Sequence, residues 1–213
     1  MTRVLIVEDQ RMARENLEKI VRECERYQLI GSVTSAGIVP AICDKQSVDL
    51  ILMDVCTVGR TDGIDAAAQI KKSHPKVKII IVTSMPEMGY LDRAHAAGAD
   101  SFWYKEIGQS ELIDVMDRTM AGEHIYPLET PVVQLGLATS AELTRGEVRV
   151  LRQIMEGLEY DEIAAALNIS RSTVNYHISN ILSKTGYPNK TLLAIAVAKK
   201  QLIISDLDRF DLN

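Results

Sequence analysis

A chain of 213 residues, 46% hydrophobic and 25% charged, has the composition of a soluble globular protein of one or two domains, not of a disordered tail or a membrane protein. Its longest unbroken apolar run, Leu192 to Ala198, is far short of the roughly 20 residues that span a bilayer, and Glu8 and Asp9 interrupt the N-terminal apolar residues too early for a secretory signal; the expected location is the cytoplasm. The net charge of -5 is carried by residues 1–140, with fifteen Lys and Arg against twenty Asp and Glu, while residues 141–213 balance at nine against nine, so composition alone gives no basic nucleic-acid footprint.

In chain order, β-branched runs at Val4–Val7, Ile30–Val33, Leu50–Met53, Ile79–Val82 and Ser101–Tyr104 predict five strands. Segments with helical spacing separate them, such as Leu17, Ile20, Val21 and Cys24, or Ala66, Ala67 and Ile70 ahead of Pro75. Solid apolar strands alternating with helices predict a doubly wound α/β domain whose parallel sheet is buried on both faces. A helix from Ser110 to Met120 closes it before Gly122. Residues 123–142, with Pro127, Pro131 and Gly136 and no periodicity, read as a linker. Four helices follow, near 145–156, 160–166, 171–184 and 190–200, making residues 143–213 a smaller all-α domain. Cys24, Cys43 and Cys56 are odd in number and lack C-x-x-C spacing, which supports neither a disulfide framework nor a zinc site.

Ligands of open parallel sheets gather beyond the carboxyl ends of the strands. Glu8 and Asp9 end the first strand, Asp54 the third, and Thr83 and Ser84 the fourth, while Lys105 follows the fifth. Converging carboxylates repel one another and call for a hard cation, and magnesium with oxygen ligands fits. A carboxylate beside it can attack phosphorus, which makes Asp54 the candidate nucleophile.

The set resembles the receiver domain of two-component response regulators over residues 1–122, a flavodoxin-like fold of five parallel strands in the order 2-1-3-4-5. The resemblance implies that Glu8, Asp9, Asp54 and the backbone carbonyl of Cys56 hold Mg2+ and that Asp54 takes phosphate from a histidine kinase. It also implies that Lys105 pairs with the phosphoryl group, Thr83 swings toward it, Phe102 is the rotating aromatic coupled to it, and the small Ser84 leaves access. The stretch Asp54-Val55-Cys56-Thr57-Val58-Gly59-Arg60-Thr61-Asp62-Gly63 departs from the usual pattern: it lacks Met-Pro and is one residue longer. A guanidinium there, Arg60, has the reach to substitute for magnesium or phosphate.

In the second domain Thr144 and Glu147 have capping-box spacing, and Val148, Leu151 and Met155 define the expected inner side of the first helix. A short helix from Asp161 to Leu167, a turn at Asn168-Ile169 and an N-cap at Ser170 form a helix-turn-helix. Val174, Ile178, Ile181 and Leu182 set the inner face of the next helix. Residues 143–203 resemble the C-terminal domain of NarL/LuxR-type regulators, on Leu143-Thr144, Glu147, Gly157, Glu162-Ile163-Ala164, Thr173-Val174, His177, Asn180-Ile181 and Lys184-x-Gly186. The resemblance implies that this helix enters the major groove of double-stranded DNA, with Asn175, Tyr176 and Ser179 at base edges and Lys184 and Lys190 at phosphates. It gives Leu192, Leu193, Ile195 and Ala196 of the last helix to a homodimer contact, with packing against their own domain as the alternative; His177 reads as a packing or hydrogen-bonding residue, not a metal ligand. Relatives usually carry Lys where Asn175 stands, and the outward arc lacks Lys and Arg, so phosphate attraction should be weak and dimerisation needed for affinity.

The function these patterns imply is a DNA-binding response regulator controlling transcription, not an enzyme, switched by phosphorylation of Asp54 and dimeric when phosphorylated. The alternative is a pseudo-receiver regulator controlled by a partner or ligand without phosphorylation. A third reading, hydrolysis of a phosphate ester at the carboxylates, lacks an additional acid or base for turnover.

Overall fold

The computed structural model describes residues 1–59, 61–105, 109–128 and 130–203, and the chain divides near residue 129 into two units. The first holds β1 (Thr2–Val7), α1 (Arg11–Glu23), β2 (Tyr27–Val33), α2 (Val39–Lys45), β3 (Leu50–Met53), α3 (Gly63–Ser73), β4 (Lys78–Thr83), α4 (Tyr90–Ala96), β5 (Ser101–Tyr104) and α5 (Gln109–Met120). All strand pairings are parallel, in the order β2-β1-β3-β4-β5, as the apolar runs imply. Alternate residues divide between the two faces. Val4, Ile6, Leu50, Leu52, Ile80, Val82 and Trp103 share one core with Leu17, Ile20 and Val21 of α1 and Leu112 and Met116 of α5. Leu5, Ile51, Ile79 and Phe102 are equally buried on the other side.

Register is what aligns the carboxyl ends. Val7 lies opposite Met53, Met53 opposite Ile81, and Thr83 opposite Tyr104, so residues 8, 54 and 105 leave the sheet at one end. The turn into α3 explains Asp62-Gly63. Asp62 caps the helix by accepting from the Asp65 N–H at 2.8 Å, and a Cβ on Gly63 would lie 1.9 Å from the Asp54 carbonyl oxygen.

Two helices of this unit, α2 and α4, are short and carry little apolar periodicity, which is why the sequence pattern does not mark them. β2 starts earlier than its β-branched core, at Tyr27, because that ring is buried and its hydroxyl donates to Asp117 at 2.7 Å.

The second unit holds β6 (Gln134–Leu135), β7 (Ala138–Thr139), α6 (Arg145–Met155), α7 (Tyr160–Leu167), α8 (Arg171–Thr185) and α9 (Lys190–Lys199). Among the described residues it is helical apart from the β6–β7 hairpin, which lies within the stretch 123–142 that the sequence reads as a linker. Two-residue strands carry no readable alternation, yet Leu135 and Ala138 are buried and Leu135 enters the helical core. The hairpin tip rests on the end of α8: Leu137 N–H donates to the Thr185 carbonyl at 2.8 Å, and Gly136, at φ +64°, leaves no room for a Cβ beside that oxygen. The inner side of α6 is Glu147, Val150, Leu151 and Ile154; Val148 and Met155 are half-buried at its margin. Thr144 and Glu147 form the expected capping box, and Ser170 accepts from the Thr173 N–H at 3.1 Å.

Candidate functional site

Two carboxylates in the corner are nearly sealed from water: Glu8 is fully buried and Asp54 is 4% exposed, while Asp9 is half-buried. One oxygen from each of the three acids lies within 4.8 Å of the others. Lys105 is the cation among them, bonded to Glu8 Oε2 and 3.2 Å from Asp54 Oδ1. Its position is set by its own backbone N–H, which donates to the Thr83 carbonyl at 2.9 Å and extends the β4–β5 ladder by one rung. Thr83 is buried at the end of β4, and Phe102 is 1% exposed on β5, its ring centroid 5.0 Å from that of Tyr104. The structure therefore brings together Glu8, Asp9, Asp54 and Lys105 at the strand ends that also carry Thr83, with Phe102 three residues before Lys105.

Burial pushes the Asp54 carboxyl up to about 7; Lys105 pulls it down, but Glu8 and Asp9 push the same way as burial. Lys105 is held above its ordinary value: burial disfavours its charge, but Asp54 and Glu8 outweigh that cost. Among the described residues one cation faces the three acids, which leaves an excess of negative charge. Asp9 Oδ1, buried and without a hydrogen-bond partner among the described residues, is the atom that excess leaves bare. Three carboxylates close together, one of them with an unpaired oxygen, suit a small hard cation, so the donor set fits magnesium.

Arg14, which the sequence reading passed over, fixes the acid pair from behind. Its Nη1 donates to the backbone carbonyls of Glu8 at 2.9 Å and Asp9 at 3.1 Å. The only signal it leaves in the sequence is a basic residue one helical turn into α1. The lengthened loop after Asp54 is anchored at Val58, whose N–H donates to the Thr34 carbonyl, and at Thr57, whose hydroxyl accepts from Ala36 N–H. Cys56 is half-buried, its Sγ 3.7 Å from the Tyr90 hydroxyl. Arg60 lies outside the described residues.

In the second unit the outward face of α8 carries Asn175, Tyr176 and Ser179, all exposed, with Tyr176 at 63%. His177 is half-buried against Gly146. The Lys184 ammonium donates to Glu147, which is 2% exposed, at 2.8 Å and to the Glu142 carbonyl at 2.9 Å. Glu147 also accepts from the Thr144 N–H at 2.7 Å, so the end of α8 and the start of α6 share this buried carboxylate. Lys190 sits 2.7 Å from the exposed Glu159 and 5.3 Å from the centroid of the Tyr160 ring, a surface pair that water screens. On α9 Leu193 is buried in its own unit, whereas Leu192 and Ile195 are nearly half exposed. Among the described residues no helix is long and apolar enough to cross a membrane.

Acids converging with a lysine at the switch point of a parallel sheet, in one chain with a helix-turn-helix, define the class of signalling switches that couple a receiver to a DNA reader. The family model described as response regulator receiver domain matches residues 4–117, and that of bacterial regulatory proteins, luxR family, matches residues 141–197. The chain belongs to the response regulators that join these two domains, a family of transcription regulators in two-component systems. It is 32% identical over 206 residues to the response regulator protein VraR of Staphylococcus aureus, covering 94% of this chain and 98% of that one. The same identity and coverage hold for VraR of Staphylococcus epidermidis.

Solved structures agree on the fold. A structure described as two RcsB dimers bound to two parallel DNAs has a TM-score of 0.65 at 20% identity, covering 92% of this chain and 98% of that one. RcsB of Salmonella enterica serovar Typhimurium, bound to promoter rprA in the presence of the phosphomimetic BeF3-, has a TM-score of 0.63 at 21% identity, covering 93% and 98%.

Proposed function

We propose that Asp54 accepts a phosphoryl group from a histidine kinase and that this modification switches the chain to a DNA-binding dimer that controls transcription in the cytoplasm. The observation that carries the reading is the buried corner of Glu8, Asp9 and Asp54 around Lys105, with Asp9 Oδ1 unpaired. Glu8, Asp9, Asp54 and the Cys56 carbonyl would hold Mg2+, which supplies charge neutralisation for the acids and for the phosphoryl oxygens.

The remaining work falls to the chain. An ionised Asp54 oxygen attacks phosphorus; the new O–P bond forms as the P–N bond of phosphohistidine breaks, and the departing imidazole regains a proton from water. Lys105 moves its bond from the Asp54 carboxylate to the incoming phosphoryl oxygens, and Thr83 donates its hydroxyl to them. Phe102, on the strand next to that of Thr83, reads the rearrangement. Asn175, Tyr176 and Ser179 then contact base edges, with Lys190 at the phosphates and Lys184 holding α8 to Glu147. Leu192 and Ile195 of α9 supply apolar surface for the second copy.

The test is intact mass after acetyl phosphate with magnesium. Wild type gains one phosphoryl mass and Asp54→Asn gains none; uptake by the variant refutes the site. The lengthened loop after Asp54 supports one rival reading, a receiver that responds to a partner without phosphorylation, and failure of the wild type to gain mass decides for it.

A further inference from the structure

After α5 the chain does not leave the first unit at once. At Gly122 (φ +97°) it turns back along the outer edge of β5, the last strand of the sheet. Phe102 N–H donates to the Ile125 carbonyl at 2.8 Å, and Ile125 N–H donates to the Ser101 hydroxyl at 3.0 Å. His124 Nδ1 lies 2.9 Å from the Asp100 carbonyl, and the Tyr126 hydroxyl donates to the Ala99 carbonyl at 2.8 Å. The Tyr126 ring centroid is 6.3 Å from that of Phe102 and 5.6 Å, edge-on, from that of His95 on α4. Ile125 packs against the core shared with α5. Three consecutive residues thus touch β5, α4 and the α5 core, and they share the burial of Phe102.

The attachment is not a sixth strand. Among the described residues it has one backbone-to-backbone rung, and the other three bonds each use a side chain. A single rung gives no cooperative ladder, so the segment separates from β5 at little cost compared with any pairing inside the sheet.

We propose that His124–Tyr126 are a release strap: they remain on β5 while Asp54 is unmodified and come off when Phe102 turns, freeing the chain that leads to the helix-turn-helix. The strap rests on the phosphorylation reading above and adds its output step. Rotation of Phe102 removes the ring against which Tyr126 lies, which leaves the strap held chiefly by its single backbone rung to the Phe102 N–H. Release adds three residues to the tether, about 10 Å of reach when extended. A tether that holds the resting conformer must also weaken any ligand selecting the other conformer.

The experiment uses the full chain with beryllofluoride and magnesium, bound occupancy being read from the 19F signal and protection from amide hydrogen exchange. With the fluoride bound, the Phe102 and Ile125 amides should exchange at least tenfold faster while Ile80 and Ile81 on β4 stay protected. Tyr126→Phe, which loses only the bond to Ala99, should bind beryllofluoride about fivefold more tightly without loss of fold. Bound fluoride with unchanged protection at Phe102 and Ile125, or equal affinity in Tyr126→Phe, overturns the strap alone. Absence of the bound 19F signal overturns the phosphorylation reading and the strap with it.

Discussion

Replacing Asp54 by Asn should stabilise the resting protein, and by an amount that depends on pH. Burial, with Glu8 and Asp9, holds the Asp54 carboxyl at about 7, against 3.8 for the ordinary group. Its folded value exceeds its unfolded one, so the folded chain binds an extra proton between them, and wild-type stability falls as pH rises from about 4 to about 7 and is flat above. At about 1.4 kcal/mol for each tenfold displacement of the proton equilibrium, ionised Asp54 weakens the fold by roughly 4 kcal/mol at pH 8 and by under 2 kcal/mol at pH 5. Asn keeps the shape and an acceptor for Lys105 without the charge. The variant's advantage should therefore grow by about 2 to 3 kcal/mol from pH 5 to pH 8, groups remote from the corner cancelling in the difference. Urea unfolding with a chelator reads it directly, because the single tryptophan, Trp103, is 5% exposed on β5 beside the site. Saturating magnesium should narrow the gap: a ligand at 100 times its dissociation constant adds about 2.7 kcal/mol to wild type, and less to the variant that lacks one carboxylate. A variant whose advantage is the same at both pH values, or that is less stable at pH 8 without metal, refutes the assignment of a desolvated acidic corner.

Arg14→Ala should raise the magnesium dissociation constant about tenfold, the size typical of outer-shell partners, with partial recovery in Arg14→Lys; calorimetry at constant pH gives the answer, and an unchanged constant denies Arg14 its positioning role. Glu147→Ala should cost the second unit about 2–3 kcal/mol, the sum of a lost capping bond and a lost charge-assisted bond to Lys184, seen as faster amide exchange along α6 and α8. Burial pushes that carboxyl up, but Lys184 and the Thr144 N–H hold it below its ordinary value, so its contribution is present above about pH 4.5 and disappears as the solution is acidified further. DNA affinity should fall only gently with salt; a logarithmic slope as steep as about -8 would require some nine neutralised phosphates and contradicts the face seen on α8.

The sheet and its acids were legible because both are local properties. Apolar runs such as Leu50–Met53 specify buried parallel strands by themselves, and an acid following such a run is at the carboxyl end whatever the rest of the chain does. The roles of Arg14, Lys184 and Tyr126 were not legible, because each depends on where a side chain from one element meets the backbone or a charge of another. Lys184 has the sequence context of a DNA contact, and only the structure shows that it also pairs with the buried Glu147, thirty-seven residues away. The β6–β7 hairpin escaped notice for a simpler reason: two residues on each side of Gly136-Leu137 are too few to show a period.

The sparse charge of the reading helix bears on how the molecule would find its target. A protein whose recognition surface attracts phosphates strongly is retained all along a chromosome, and most of its copies are held at irrelevant sequence. Here the outward arc is Asn, Tyr and Ser, the exposed Arg171 at the start of α8 is paired with Asp161, and Lys184 is bound to Glu147. Few molecules would be lost to that reservoir, so a small cellular pool stays free in solution, and occupancy of an operator follows how many copies pair instead of how many exist.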